Sequence, residues 1–122
     1  MWYFLKENQF CTILESFTKE TVAHENIVAA CPAEVLRVSK VDLLALFQEL
    51  PYVEKLIDQI TQQALLDKIK IRNTYLGYDS ATRYKLFLMQ QADIALKVSL
   101  SDVASYLGIT QQSLSRIRRG LK

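Results

Sequence analysis

The spacing of apolar positions along the chain changes period near residue 39, from short pieces to long helical stripes. Before that point, strand-forming residues cluster in four segments: Trp2 to Leu5, Phe10 to Leu14, Glu25 to Ala30 and Glu34 to Val38. Leu36 and Val38 flank Arg37, an alternation that sends side chains to opposite faces of a strand. Pro32, after Cys31, would interrupt a ladder. The pattern predicts antiparallel β structure. Four short strands are too few to close a barrel, so the expectation is an open, partial sheet or a piece of a larger β domain.

From Ser39 the pattern turns helical. Ser39 is placed to cap a short helix containing Leu43, Leu44, Leu46 and Phe47 that ends before Pro51. Pro51 suits the first turn of a longer helix, where its missing N–H costs nothing. Val53, Leu56, Ile57, Ile60, Ala64, Leu65 and Ile69 mark the apolar face of that helix, and Gly77 is a plausible stop. Its length exceeds what a small lobe needs. We therefore expect a dimerisation helix, packed in part against its own β lobe and in part against the same helix of a second chain. A purely intramolecular core helix would show the same period.

A further helix, Ala81 to Gln91 with Asp79 or Ser80 as cap, carries Ala81, Tyr84, Phe87 and Leu88 on one stripe. The stretch from Ala92 to Ser99 reads as a link, with Leu96-Lys97-Val98 extended. Then Leu100, Val103, Ala104 and Leu107 recur at helical intervals, Gly108 ends the helix, and Thr110 caps the next. Leu114, Ile117 and Leu121 supply the apolar stripe of that last helix, leaving Gln111, Gln112, Ser115, Arg116 and Arg119 largely outward. Arg pairs in bidentate fashion with guanine and Gln with adenine, in a major groove wide enough for a helix. The spacing thus predicts a helix-turn-helix whose second helix reads double-stranded DNA. An ordinary αα-hairpin with a solvated basic end fits the same spacing.

Charge sharpens this picture. The 122 residues carry a formal charge of +2, but residues 1–61 hold five Lys/Arg against nine Asp/Glu, while residues 62–122 hold ten against four. The basic half is the one with the helix-turn-helix, which steers it toward polyanions. Half the residues are hydrophobic, enough for a core. No apolar run approaches the ~20 residues that span a bilayer, and Lys6 and Glu7 follow the opening apolar residues too soon for a signal peptide. A cytoplasmic protein without membrane association is expected. Cys11 and Cys31 lack partners at metal-ligand spacing and read as reduced, buried thiols. His24, the one histidine, leaves a zinc site or a catalytic triad little to work with, and three glycines form no phosphate loop. Neither an enzyme nor a cofactor or metal is indicated.

The order of parts, ending in Val103-Ala-Ser-Tyr-Leu-Gly-Ile-Thr-Gln-Gln-Ser-Leu-Ser-Arg-Ile-Arg118, resembles the bacterial transcription regulators of the CRP/FNR family. The most specific match is Gly108-Ile-Thr-Gln-Gln-Ser-Leu-Ser-Arg116, with Ala104 and Leu107. Upstream, Phe10 to Phe17, Ile27-Val-Ala and Val38-Ser-Lys-Val-Asp-Leu are similar to the later strands and following helix of that family's β-roll sensor, whose opening strands find no counterpart. The resemblance implies an α+β fold: a partial antiparallel β-roll lobe (residues 1–50), a long dimerisation helix (51–77) and a C-terminal helix-turn-helix lobe (78–122). It implies a homodimer acting on an inverted repeat of double-stranded DNA. Arg116 would contact a base, most often guanine, with Gln111 and Gln112 opening the recognition helix where many members have Arg and Glu. Thr110, Ser113, Arg118 and Arg119 would contact phosphates.

The sensor positions depart from the family. Where members hold a cyclic nucleotide with a Gly-Glu-Leu run and an Arg followed by a small hydroxyl residue, this chain has Thr12-Ile13-Leu14 and Ala23-His24. No response to cyclic AMP and no oxygen-sensing cluster are expected, and the effector is left unassigned. The rival expectation is a small-molecule sensor or interaction module with weak or lost DNA binding, which would show a closed apolar pocket in the β lobe.

Overall fold

The computed structural model of the chain describes residues 3–121, and over them it forms seven helices: α1 (Leu14–Lys19), α2 (Lys40–Glu49), α3 (Pro51–Tyr75), α4 (Ser80–Gln90), α5 (Ala92–Ala95), α6 (Leu100–Leu107) and α7 (Gln111–Gly120). Among these residues there is no strand. This corrects the expected α+β fold and its antiparallel β-roll lobe. Trp2 lies outside the described residues. Leu14 opens a helix instead of closing a strand, and residues 25–30 and 34–38 form no regular element.

The physical reason is that a strand exists only through its ladder. Among the described residues, none of the backbone hydrogen bonds outside the helices joins any two of the four expected strand segments. Without such bonds, β-branched composition and alternation leave a chain extended but unpaired. Val22, Val28, Val35 and Leu36 are all highly exposed, Leu36 fully so, so these residues also lack a face to pack against. The likeness to the CRP/FNR regulators depended on that β-roll over residues 1–50 and is overturned with it. Likewise Cys11 is exposed and Cys31 half-buried, not the buried thiols expected, although both are free.

Helices α2, α3 and α4 begin where the local sequence signals place them. Ser39 caps α2 by accepting from the Asp42 N–H at 3.1 Å. Pro51 begins α3. Asp79 caps α4, its carboxylate accepting from the Thr82 N–H at 2.8 Å. Between α4 and α6, however, the expected extended link is a single helical turn, α5, followed by a turn at Leu96 and Lys97.

The chain divides into two compact units. Leu5–Lys68 contains α1, α2 and most of α3. Lys40 ties its first two helices: the ammonium donates to the Thr18 carbonyl at 3.2 Å and sits 5.5 Å from the centre of the Phe17 ring. No described residue of α1, α2 or α3 is fully buried. Instead, Val53, Ile57 and Ile60 are half-buried along one side of α3.

The other unit, in which Tyr3 and Phe4 join the described residues from Ile69 onward, holds the hydrophobic core. Tyr84 and Phe87 of α4, Ile94 of α5, Val103, Ala104 and Leu107 of α6, and Leu114 of α7 are its buried residues. Helix α4 packs against α5, α6 and α7, and α6 against α7, so α4 is the platform on which the last two helices are seated. Complete burial of Phe87 and Leu114 contributes roughly 1.5–3 kcal/mol per side chain. Leu88 and Leu121, expected on the apolar stripes, are 36% and 46% exposed, because the packed stripe is narrower than the sequence pattern.

Candidate nucleic-acid interface

The geometry of α6, the turn and α7 is set by four local devices. First, Ser99 accepts from the Asp102 N–H at 3.1 Å and donates its own hydroxyl to the Asp102 carboxylate at 2.8 Å, closing the first turn of α6. Second, Gly108 adopts a left-handed backbone, φ +70°. The Gly108 N–H then bonds the Ser105 carbonyl at 3.2 Å and the Ile109 N–H bonds that of Ala104 at 3.0 Å. That pairing is a Schellman closure, and it needs a residue without a Cβ penalty at the left-handed position. Third, Thr110 caps α7 by accepting from the Ser113 N–H at 3.1 Å. Fourth, Arg83 of α4 clamps the turn from behind, donating from Nη1 to the Leu107 carbonyl at 3.1 Å and from Nε to the Tyr78 carbonyl at 2.9 Å. A guanidinium at the carbonyl end of α6 also complements the negative end of the helix dipole.

These devices fix which side of α7 faces out. Leu114 is fully buried and Ile117 half-buried against the core. On the other side, Gln111, Gln112, Ser115, Arg116 and Arg119 line one open surface concavity. Adjoining it, Ser113, Arg116 and Ile117 border a second with Asp79, Ser80 and Ala81 at the start of α4. Arg118 is exposed and borders neither, and Thr110 is exposed at the cap. Five of the eight residues singled out from sequence therefore share one exposed face, and Ser113 lies on its flank.

Charge on this helix is one-signed. Arg116, Arg118 and Arg119 are its ionisable residues, and two of them lie in the last turn, where cations suit the helix dipole. Asp79 is the anion on the flank. Its carboxyl is held below the ordinary aspartate range chiefly by the hydrogen bond from Thr82, so it is charged at neutral pH.

Two residues that position the interface carry no motif. Arg83 could have been suspected only as a cation one helix away from the carbonyl end of α6. Gln91 gave no signal: its side-chain oxygen accepts from the Tyr75 hydroxyl at 2.8 Å and the Tyr106 hydroxyl at 3.0 Å. Around it, the Tyr106 ring packs 4.8 Å from Phe4 and 5.8 Å from Phe87, centre to centre. Burial raises the ionisation of both tyrosines above the ordinary range. This cluster braces α6 from below.

Comparison with protein-family models, curated proteins and solved structures finds no match to the chain. Among the described residues, no helix is long and apolar enough to cross a membrane.

Proposed function

We propose that this chain is a sequence-specific DNA-binding transcription regulator of the cytoplasm, acting as a homodimer on an inverted repeat and catalysing no reaction. The observation that carries the reading is the division of labour on α7. Leu114 and Ile117 anchor the helix, while two glutamines, a serine and two arginines share an exposed face with no acidic residue on the helix. Those side chains are the ones that discriminate adenine and guanine by forked hydrogen bonds. A helix standing on a separate packed support can enter the groove without disturbing its own core.

The dimer reading draws on α3. Helical geometry of about 100° per residue places Leu65, Leu66 and Ile69 on the side of α3 away from Val53, Ile57 and Ile60. The three are 43%, 60% and 56% exposed. Val53, Ile57 and Ile60 are the half-buried residues of the unit that holds them, and the exposed leucines on the opposite side are offered to a second copy. Two α7 helices would then enter successive major grooves about 34 Å apart.

Selection of bound sequences from random duplex DNA tests the proposal. Enrichment of an inverted repeat supports both reader and dimer, and binding to it should weaken with salt at a slope of about −0.9 per phosphate neutralised. Paired substitutions Leu65→Glu and Ile69→Glu should shift the sedimentation of the chain to that of a monomer. Failure to enrich any sequence over random duplex would overturn the reading.

A further inference from the structure

The hydroxyl of Ser113 lies at the junction of the cap and the outward face. It accepts from the Thr110 hydroxyl at 2.9 Å and from Arg116 Nη2 at 3.3 Å, while Thr110 in turn accepts from the Ser113 N–H. The result is a short relay: the helix cap fixes Thr110, Thr110 fixes the Ser113 oxygen, and that oxygen restrains the guanidinium of Arg116. We infer that Ser113 is a positioning residue that sets the base preference of Arg116, an inference that rests on the DNA-reading proposal above.

Three features support this role. Arg116 is exposed and borders both concavities on the outward side of α7, so without a restraint its long side chain would sample many rotamers before meeting a base. A free arginine forfeits part of its forked bond on being ordered, whereas one already held loses less. The bond to Ser113 also occupies only one of the guanidinium's five N–H donors, which leaves enough for a fork onto guanine. Finally, both lone-pair directions of the Ser113 oxygen are taken by Thr110 and Arg116. Thr110 itself is committed as both acceptor and donor, so its hydroxyl is poorly placed to reach a phosphate.

The relay can be cut without removing the cap. In Ser113→Ala the backbone N–H remains to bond Thr110, and α7 should keep its helicity by circular dichroism. Ser113→Thr retains an acceptor oxygen. Relative dissociation constants are measured on the selected inverted repeat and on duplexes altered one base pair at a time, for the native chain, both Ser113 variants and Arg116→Ala. Ser113→Ala is expected to lower discrimination about threefold to tenfold at the base pair whose preference Arg116→Ala abolishes, and at no other, with Ser113→Thr restoring it. Equal weakening of Ser113→Ala on every duplex would make Ser113 a phosphate contact and overturn the inference. Native discrimination in Ser113→Ala, with Arg116→Ala still selective in its loss, would overturn it while leaving the DNA reading intact. If Arg116→Ala itself changes no base preference, Arg116 is not a reader, and both the role of Ser113 and the base-contact part of the proposed function fall.

Discussion

Replacing Gly108 by alanine isolates the energetic contribution of the turn. A Cβ built at Gly108 would meet only Arg83 Nη1, at 3.7 Å, an ordinary van der Waals contact. No clash adds to the cost. What remains is the left-handed backbone at φ +70°, which disfavours an L side chain by roughly 1–2 kcal/mol. The alanine also narrows the unfolded ensemble, which offsets about 0.4–1 kcal/mol. The net expectation is a destabilisation of about 1 kcal/mol, near a fivefold rise in the unfolded fraction. Tm should fall by about 4–8 °C for a lobe of this size. Asparagine visits the left-handed region more readily, so Gly108→Asn should lose less than Gly108→Ala. Urea unfolding followed by far-ultraviolet circular dichroism measures both, with the denaturant slope unchanged. A neutral alanine variant would refute the argument that conformation, not packing, makes this position glycine. So would an asparagine variant less stable than the alanine one, or a loss several times larger than expected, which would require a steric conflict that the 3.7 Å contact with Arg83 does not supply.

Other outcomes follow from the packing and the site. Leu114→Ala removes the fully buried anchor of α7 and should cost about 2–5 kcal/mol in urea unfolding, with loss of any sequence preference in DNA binding. Gln91→Leu leaves the half-buried Tyr75 and Tyr106 hydroxyls without their acceptor and should cost about 1–3 kcal/mol; the triple variant with Tyr75→Phe and Tyr106→Phe should recover part of that loss, by the same unfolding assay. Because burial raises both tyrosine ionisations in the folded chain, their contribution to stability is complete below the ordinary tyrosine range. It is lost as pH climbs through the raised values. Tyr75→Phe with Tyr106→Phe should therefore flatten the alkaline fall in stability above about pH 10. Arg116→Ala should lose about 1–3 kcal/mol of discrimination at one base pair per half-site, read from binding to single-pair variants of the selected duplex.

The outward face of α7 was legible because helix geometry is local. Once Gly108 and Thr110 fix the phase of the helix, Leu114 and Ile117 determine which residues point away from the core, and no distant contact is needed to place Gln111, Gln112 and Arg116. The same locality explains why Ser39, Pro51 and Asp79 marked helix starts correctly: Ser39 and Asp79 each bond a residue within the first turn they cap, and Pro51 opens α3, where its missing N–H costs nothing. By contrast, Arg83 reaches the Leu107 carbonyl and Gln91 reaches Tyr106 across intervening helices, and nothing in the spacing of either residue announces a partner so far along the chain.

Sequence alone thus determined the helices after residue 39 other than α5, the caps of α2, α4, α6 and α7, and the exposed chemistry of the last helix, since each depends on bonds within a few residues. Only the tertiary structure decided the first part of the chain. Val35, Leu36 and Val38 have the composition and alternation of a strand, but a strand is stabilised by hydrogen bonds to a neighbour that its own sequence does not specify. With no such neighbour among the described residues, the segment stays irregular, and a helical chain stands where the local pattern predicted a sheet.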